Sequence, residues 1–194
     1  MRKLTLEDIL DTRAYERERE AFRADVIAMK KRRRIELGDF ITLVFENIET
    51  MRFQIQEMAR IENMATDEKI QHEVDTYNEL IPEAGELSAT LFIELDDKEK
   101  LYEWLPKLVG IQDAVAFWFP DGSQVRSFSR DVERLTREEE ITTTVHYVRF
   151  QFSENQAAAM REPGVRLVVD HPNYEAITEL TDDQRLELAG DLLD

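Results

Sequence analysis

The chain has 194 residues, of which 42 are acidic and 25 are basic, giving a net charge of −17, and it contains no cysteine. The absence of cysteine excludes disulfides, thiolate metal sites, cysteine-ligated iron–sulfur clusters and a cysteine nucleophile. No run approaches the roughly 18 apolar residues of a membrane span, and the N-terminus lacks a signal-peptide apolar region. We therefore expect a soluble cytoplasmic protein without a membrane partner.

The first part of the chain is predicted to be mainly helical. A long charged helix is expected over about 13–34, because its few apolar residues fall on one helical stripe. An alternating segment at 41–45 predicts a strand. Two further helices are expected over about 49–64 and 66–81, each with a regular apolar stripe.

The second part of the chain is predicted to consist mainly of strands. Alternation of apolar and polar residues indicates half-buried strands, placed at about 87–95, 115–119, 124–128, 142–152 and 165–169. A short helix is expected over 96–108, and a loop or helical turn over the highly charged residues 131–140. Capping boxes formed by Ser153 with Gln156 and by Thr181 with Gln184 predict two more helix starts.

This order of elements predicts the fold class. Strands in hairpin-like runs favour an α+β fold, with a helical N-terminal part packed on a largely antiparallel β-sheet. A single domain over 1–194 is expected, with a helical lobe (1–82) and a sheet lobe (83–194) as an alternative description. Residues 1–34 carry 11 basic and seven acidic side chains, whereas 35–194 carry 14 and 35. This charge asymmetry could favour self-association, so a homo-oligomer is one alternative.

Five consecutive basic residues form the most conspicuous charge cluster, and we treat them as candidate partner-binding residues: Lys30, Lys31, Arg32, Arg33 and Arg34. Such a run can contact an acidic protein surface or a nucleic acid. The alternative is a helix C-terminus, where cations complement the helix dipole and remain solvated. The negative total charge and the lack of interleaved aromatic residues oppose nucleic-acid binding.

The histidines supply the next candidates, and His146, His171 and Asp170 are predicted as ligand-binding residues. His146 lies on the apolar face of a predicted strand, where a hydrogen-bonded core histidine is the alternative. Asp170 could orient or charge the ring of His171 at a strand end. His72 shares a helix face with Glu68, but no second ligand pair completes a metal site. No metal and no cofactor are therefore predicted.

Two groups of polar residues could line a pocket between the helical and sheet parts. The first lies on the second predicted helix and includes Gln54, Glu57 and Arg60. Glu57 and Arg60 are further ligand-binding candidates, although a simple i, i+3 ion pair would also explain them. The second group, 78–79, flanks the end of the third helix, where polar residues usually cap or turn. Glycine-rich phosphate loops and nucleophile elbows are absent from the sequence, so an enzyme is not the favoured interpretation.

Several stretches spread over nearly the whole chain carry a family resemblance, namely 31–38, 45–58, 77–82, 85–95, 104–111, 146–150 and 170–172. In these stretches the sequence resembles a bacterial family known as domain of unknown function 3501. The resemblance implies a single-domain protein and transfers no catalytic residue. Members are often encoded near rubrerythrin-like di-iron proteins and iron–sulfur oxidoreductases, which implies an accessory role in peroxide or redox metabolism.

Three functions follow as hypotheses. The favoured one is an accessory or interaction protein that partners a redox or peroxide-detoxifying enzyme. Without cysteine it would bind such a partner rather than carry electrons through a cysteine-ligated cluster. The second is a small-molecule-binding protein or enzyme that uses a cleft between the helical and sheet parts. The third is nucleic-acid binding through the basic run 30–34.

Overall fold

The computed structural model describes residues 1–129, 136–137 and 141–193. Its helices are α1 (Thr12–Arg33), α2 (Ile48–Ile61), α3 (Asp67–Asn78), α4 (Lys98–Trp104), α5 (Glu154–Ala159) and α6 (Asp182–Leu193). Its strands are β1 (Arg34–Leu37), β2 (Ile41–Glu46), β3 (Glu86–Ile93), β4 (Val115–Trp118), β5 (Gln124–Phe128), β6 (Thr136–Arg137), β7 (Ile141–Thr142), β8 (Val145–Gln151), β9 (Arg166–His171) and β10 (Tyr174–Glu179). The predicted α+β class with an antiparallel sheet is confirmed.

Local sequence signals explain where several helices begin. The Asp11 side chain accepts hydrogen bonds from the backbone N–H groups of Arg13 and Ala14 and so caps α1. Asn47 and Thr50 form a reciprocal capping box at the start of α2. The predicted boxes that open α5 and α6 are also present, at Ser153 with Gln156 and at Thr181 with Gln184.

Eight strands form one antiparallel sheet in the order β1-β2-β3-β8-β5-β4-β9-β10, and β6 pairs with β7 separately. The large sheet curls until β10 lies beside β1. Side chains bridge these two edge strands, since Tyr174 Oη donates to the Leu37 carbonyl at 2.6 Å and Thr178 Oγ1 donates to the Glu36 carbonyl at 2.7 Å. The sheet is therefore barrel-like, with a seam closed by side chains.

The inner face of this sheet holds the main apolar core. Alternate residues of β2 and β3, such as Phe45 and Leu91, point into a cluster that also receives Phe117 of β4 and Phe150 of β8. Helix α6 contributes Leu188 to the same cluster. Burying these side chains removes their apolar surface from water, which is the dominant stabilising term for such a layer.

The helices α2 and α3 form a second layer with a smaller core of their own. Met51 and Ile55 of α2 meet Val74 of α3, and Leu4 and Ile9 of the N-terminal segment complete this cluster. Helix α1 packs along α2, where Phe22 and Phe53 meet edge to face. The outer face of β2, β3 and β8 therefore lies under helices, and polar side chains become buried between the two layers.

Several elements differ from the sequence-based prediction. The strands β1 and β10 were not predicted, and the long strand predicted over 142–152 is divided into β7 and β8. Of the charged residues 131–140, only 136–137 belong to the described part, where they form β6. The large sheet draws strands from both sides of residue 82. Among the described helices, none is both long and apolar enough to cross a membrane.

Candidate functional site

The interface between the helical layer and the sheet is polar where it is buried. On the outer face of the sheet, the register places Val44 opposite Thr90 and Thr90 opposite Tyr147. Glu46 lies on the same face, two residues beyond Val44. A buried polar group is costly unless it finds a partner, so each such side chain should be hydrogen-bonded.

A cavity of about 460 Å³ and a second of about 290 Å³ open side by side at this interface. We call the smaller one the inner cavity, and six elements (α1, α2, α3, β2, β3 and β8) contribute to it. Its lining residues are Lys30, Glu46, Met51, Gln54, Tyr77, Leu80, Thr90, Phe92, Val145 and Tyr147. The larger one, the outer cleft, shares Leu80 and Tyr147 with it. The two spaces therefore adjoin at these shared residues.

Glu46 is a buried polar residue of the inner cavity whose hydrogen bonding is incomplete. Its residue surface is only 5% exposed, and its Oε1 accepts a hydrogen bond from Thr90 Oγ1 at 2.8 Å. Its Oε2 is buried and has no hydrogen-bond partner among the described residues. A carboxylate oxygen removed from water without a donor is one of the more expensive arrangements in a folded protein.

Lys30 brings the opposite charge to the same cavity. It lies in the last turn of α1 and is half-buried. Among the described residues its ammonium has no hydrogen bond or ion pair, although Arg32, Arg33 and Arg34 all have acidic partners. The inner cavity thus combines an ammonium without a partner and a carboxylate oxygen without a donor.

Aromatic side chains form much of the remaining wall. Tyr77 comes from α3, Phe92 from β3 and Tyr147 from β8. Burial raises the pKa of the Tyr147 hydroxyl, and electrostatic interactions with Tyr77 and Glu46 raise it further. The Tyr147 hydroxyl is therefore a neutral group of the cavity lining at physiological pH, as tyrosine ordinarily is.

The outer cleft differs because its cationic side chains already have hydrogen-bond and ion-pair partners. Lys3 Nζ donates to the Ile81 carbonyl at 2.7 Å and pairs with Glu83 at 2.9 Å. Arg149 is 7% exposed, pairs with Glu86 and donates to the Glu79 carbonyl. The cations of the outer cleft therefore have partners, whereas the inner cavity combines a lysine without a partner and a carboxylate oxygen without a donor among the described residues.

The structure places Glu57 and Arg60 between α1 and α2, outside both cavities. Glu57 accepts hydrogen bonds from Tyr15 Oη and Arg19 Nε, each at 2.7 Å, and from Arg60 at 3.3 Å. The hydrogen bond from Arg19, together with those from Tyr15 and Arg60, lowers the pKa of Glu57 to about 2 against an opposing effect of burial. This network joins two helices, and all its members have partners.

The two histidine candidates lie on β8 and β9, which β5 and β4 separate in the sheet. His146 is fully buried, and its Nε2 lies 2.9 Å from the Thr143 carbonyl. His171 is 6% exposed, with Nε2 at 3.0 Å from the Val109 carbonyl and Nδ1 accepting from the Asn173 N–H at 3.3 Å. Neither histidine lines the inner cavity or the outer cleft, and neither does Asp170.

The basic run is largely used inside the molecule. Arg33 is fully buried and binds the Phe45 carbonyl as well as Glu187 and Asp191 of α6. Arg32 pairs with Glu187 at 2.9 Å. Arg34 contacts both carboxylate oxygens of Glu94 at 2.7 Å.

The two remaining lysines of the run diverge, since Lys31 is exposed and Lys30 lines the inner cavity. The run therefore does not present one continuous cationic surface.

The described residues offer no metal centre, since no group of three His, Asp or Glu side chains is placed to hold an ion. The polar residues predicted to share one pocket are divided, with Gln54 in the inner cavity and Asn78 and Glu79 in the outer cleft. Sequence reasoning missed Glu46 and both tyrosines. The available signal was that the outward positions of β2 and β3, such as Val44 and Thr90, carry few charges, which is typical of strands covered on both faces.

Comparisons with known proteins agree with this geometry at the level of the fold. The family described as "Protein of unknown function (DUF3501)" matches residues 3–192. A crystal structure described as a novel protein of unknown function from Burkholderia pseudomallei K96243 is similar, with a TM-score of 0.89 and 35% sequence identity. That match covers 100% of both chains. No curated protein matches the sequence.

Proposed function

The chain belongs to the DUF3501 family of proteins of unknown function, and from that premise we propose that it binds a small polar molecule in the inner cavity. The observation that carries the proposal is the Glu46 carboxylate, which is 5% exposed and has one oxygen without a donor. Folded proteins pair nearly all buried polar atoms, and the exceptions call for an explanation such as a bound ligand.

Two other carboxylates that are partly or fully buried show full hydrogen bonding in a structural role. Glu57 has three hydrogen-bond donors, and the fully buried Glu86 pairs with Arg149. Glu46 has a single donor, Thr90, although it faces a cavity with an unpaired lysine. Local departures of this kind from full satisfaction are expected where a site is prepared for something that binds.

The test is a screen of the purified protein against amino acids, amines, carboxylic acids, sugars and nucleosides, read by calorimetric melting. A ligand at 100 times its Kd stabilises the folded state by about 2.7 kcal/mol, which raises Tm by about 5–10 °C in a protein of this size. The shift should vanish in Glu46→Gln, because the amide cannot supply the negative charge.

Two controls keep this test interpretable. Without ligand, Glu46→Gln should be as stable as wild type or more stable by up to about 2 kcal/mol, because the substitution removes a buried charge with one oxygen that lacks a donor. Glu99→Gln changes an exposed residue of α4 outside the cavity and should retain the ligand shift. If no compound gives a shift that depends on Glu46, the proposal is wrong.

The interaction role implied by the resemblance is a second proposal, and an apolar groove beside α4 supports it. Leu101, Tyr102, Leu105, Pro106 and Ile141 line this groove of about 330 Å³, with Tyr102 81% and Ile141 48% exposed. Large exposed aromatic and aliphatic side chains of this kind mark many protein-binding surfaces.

This second proposal is tested by mixing the chain with a purified rubrerythrin-like di-iron protein and measuring complex formation in calorimetry. Tyr102→Ser should weaken binding at least tenfold, whereas Ile27→Ser, which changes an exposed aliphatic residue of α1, should leave it unchanged. A wild-type chain that forms no complex at micromolar concentration would count against the redox partnership. Nucleic-acid binding gains no support, because three arginines of the run are held by acidic residues of the same chain.

A further inference from the structure

We infer that the ligand of the inner cavity is a zwitterion of amino-acid size, with a protonated nitrogen bound at Glu46 and an anionic group bound at Lys30. This inference rests on the proposed function and adds the chemical class of the ligand to it. It follows from the charges, the aromatic wall and the volume of the cavity, each of which limits the ligand independently.

The Glu46 carboxylate calls for a cation. Its Oε2 lacks a donor, and Thr90 supplies a neutral hydrogen bond to Oε1 only. A neutral donor would satisfy the oxygen but leave a buried negative charge uncompensated, whereas a protonated amine supplies both the donor and the charge. A metal ion is a poorer match, because hard cations need several oxygen ligands and the described residues contain no group of three placed to hold an ion.

The aromatic side chains of the lining also favour a protonated nitrogen. Tyr77, Phe92 and Tyr147 line the cavity together with Glu46. Aromatic faces attract ammonium groups through the ring quadrupole, and an acidic residue within an aromatic wall is a recurring way to bind amines. The two tyrosine hydroxyls also add polar groups to the lining without adding a full charge.

Lys30 makes a simple amine an unsuitable ligand. A ligand with only a positive charge would bring a second cation into a cavity that Lys30 also lines, and like charges repel. A ligand that also carries a carboxylate pairs with Lys30 and removes this repulsion. The Gln54 amide lies in the same lining and offers an additional donor for that carboxylate.

The volume of the inner cavity suits a small ligand. The cavity measures about 290 Å³, which equals the volume of about ten water molecules and lies at the lower end of known ligand sites. An amino acid fits this volume without extending into the adjoining outer cleft. Both ends of such a ligand would find a partner within one small cavity.

The test compares three matched series by isothermal titration calorimetry: the 20 common α-amino acids with ω-amino acids of two to six carbons, n-alkylamines of the same lengths, and n-alkanoates of the same lengths. The best amino acid should bind at least tenfold more tightly than its matched amine and its matched acid. In Lys30→Met this preference over the amine should disappear. In Glu46→Gln the amino acid and the amine should both lose at least tenfold in affinity.

The outcomes separate this inference from the function on which it rests. If amines or alkanoates bind as tightly as every amino acid, the inference that the ligand is a zwitterion is wrong. It is also wrong if Lys30→Met leaves the preference for the amino acid over its matched amine intact. If only a different class from the wider screen binds and its binding depends on Glu46, the binding function stands and the zwitterion is wrong. If nothing binds in a manner that depends on Glu46, both are wrong.

Discussion

His146 is a titratable residue whose burial inside the sheet changes its pKa. It is fully buried, with Nε2 at 2.9 Å from the Thr143 carbonyl and 3.0 Å from Thr142 Oγ1. The carbonyl can only accept, so we assign the proton of the neutral ring to Nε2, and Nδ1 is then a buried acceptor without a donor. Burial lowers the pKa of His146, against smaller opposing effects of the Thr143 carbonyl and the charge of Asp113.

This environment predicts a pH-dependent stability. The unfolded chain binds the proton near pH 6.5, whereas the folded chain binds it only at lower pH, so below about pH 6.5 the unfolded state holds more protons. The free energy of unfolding should therefore fall as the pH is lowered from 7 to 5, by at most about 1.4 kcal/mol per pH unit from this residue. His146→Leu should show a shallower decline in urea denaturation.

The test compares the free energies of unfolding of wild type and His146→Leu at each pH. Carboxyl groups titrate in both proteins, so their contribution cancels in the difference. Parallel curves for wild type and His146→Leu would show that the buried ring contributes nothing to the pH dependence. The absolute stability of the variant does not enter, so a loss of packing at residue 146 leaves the test valid.

Glu46 and Lys30 illustrate which residues of the site the sequence could not identify. Glu46 ends an alternating strand at an outward position, where a carboxylate is normally solvated. Only the packing of the helical layer over β2 buries it. Lys30 was predicted as one member of a basic run, but a helix turns about 100° per residue, so its neighbours point elsewhere. Gln54 was predicted to line a pocket between the layers, and it does line the inner cavity.

At the scale of elements, Arg33 connects three parts of the fold. It ends α1, donates to the Phe45 carbonyl of β2 and pairs with Glu187 and Asp191 of α6. Its side chain is fully buried, whereas the neighbouring Arg32 is 45% exposed and pairs with Glu187 from outside. Two adjacent arginines therefore make ion pairs with the same helix in very different environments.

These environments predict losses of stability of very different size for matched substitutions. Arg33→Met leaves two acidic side chains of α6 without their buried partner and should lower the free energy of unfolding by about 3–5 kcal/mol. Arg32→Met removes an exposed ion pair and should lower it by about 0–1 kcal/mol. Urea denaturation at pH 7 measures both. Equal losses would mean that burial does not determine how much these ion pairs contribute to the free energy of unfolding.

The strands β1 and β10 show why some elements could not be predicted. Strand β1 starts at Arg34, directly after the last residue of α1, without the glycine or proline that usually marks a helix end. In β10 the inward positions carry Tyr174, Ala176 and Thr178, whereas Ile177 points outward and is 58% exposed. The apolar alternation that marks a half-buried strand is therefore weak. Strands such as β3, with a clear alternation, were predicted correctly.

At the scale of the whole molecule, the seam between β1 and β10 decides whether the sheet closes. These strands lie far apart in the sequence, and the described contacts across the seam include side-chain hydrogen bonds from Tyr174 and Thr178 to carbonyls of β1. Closure protects two edges that would otherwise expose unpaired backbone groups. It also links both ends of the chain, so we propose that the chain unfolds as one cooperative domain.

Gly38 provides a way to test this closure. It follows β1 with φ +68°, and a Cβ atom there would clash with Tyr174 Oη. Gly122 also has a positive φ, of +85°, but a Cβ atom there would meet nothing within 4 Å. Alanine at either position should cost about 1–2 kcal/mol in backbone strain, so the difference between the two variants isolates the contact with the seam.

We expect Gly38→Ala to be less stable than Gly122→Ala by about 1–2 kcal/mol, because it displaces the Tyr174 hydroxyl from the Leu37 carbonyl and breaks a buried hydrogen bond. Tyr174→Phe alone should cost a similar amount. In the double variant Gly38→Ala with Tyr174→Phe the losses should add only in part, since the phenylalanine has no hydroxyl to displace, while the ring Cζ and the Ala176 Cβ, each 3.2 Å from the added Cβ, remain. Additive losses in urea denaturation would show that residue 38 does not act through the seam. A second transition in any variant would contradict the single cooperative unit, because closure makes the stability of β10 depend on β1.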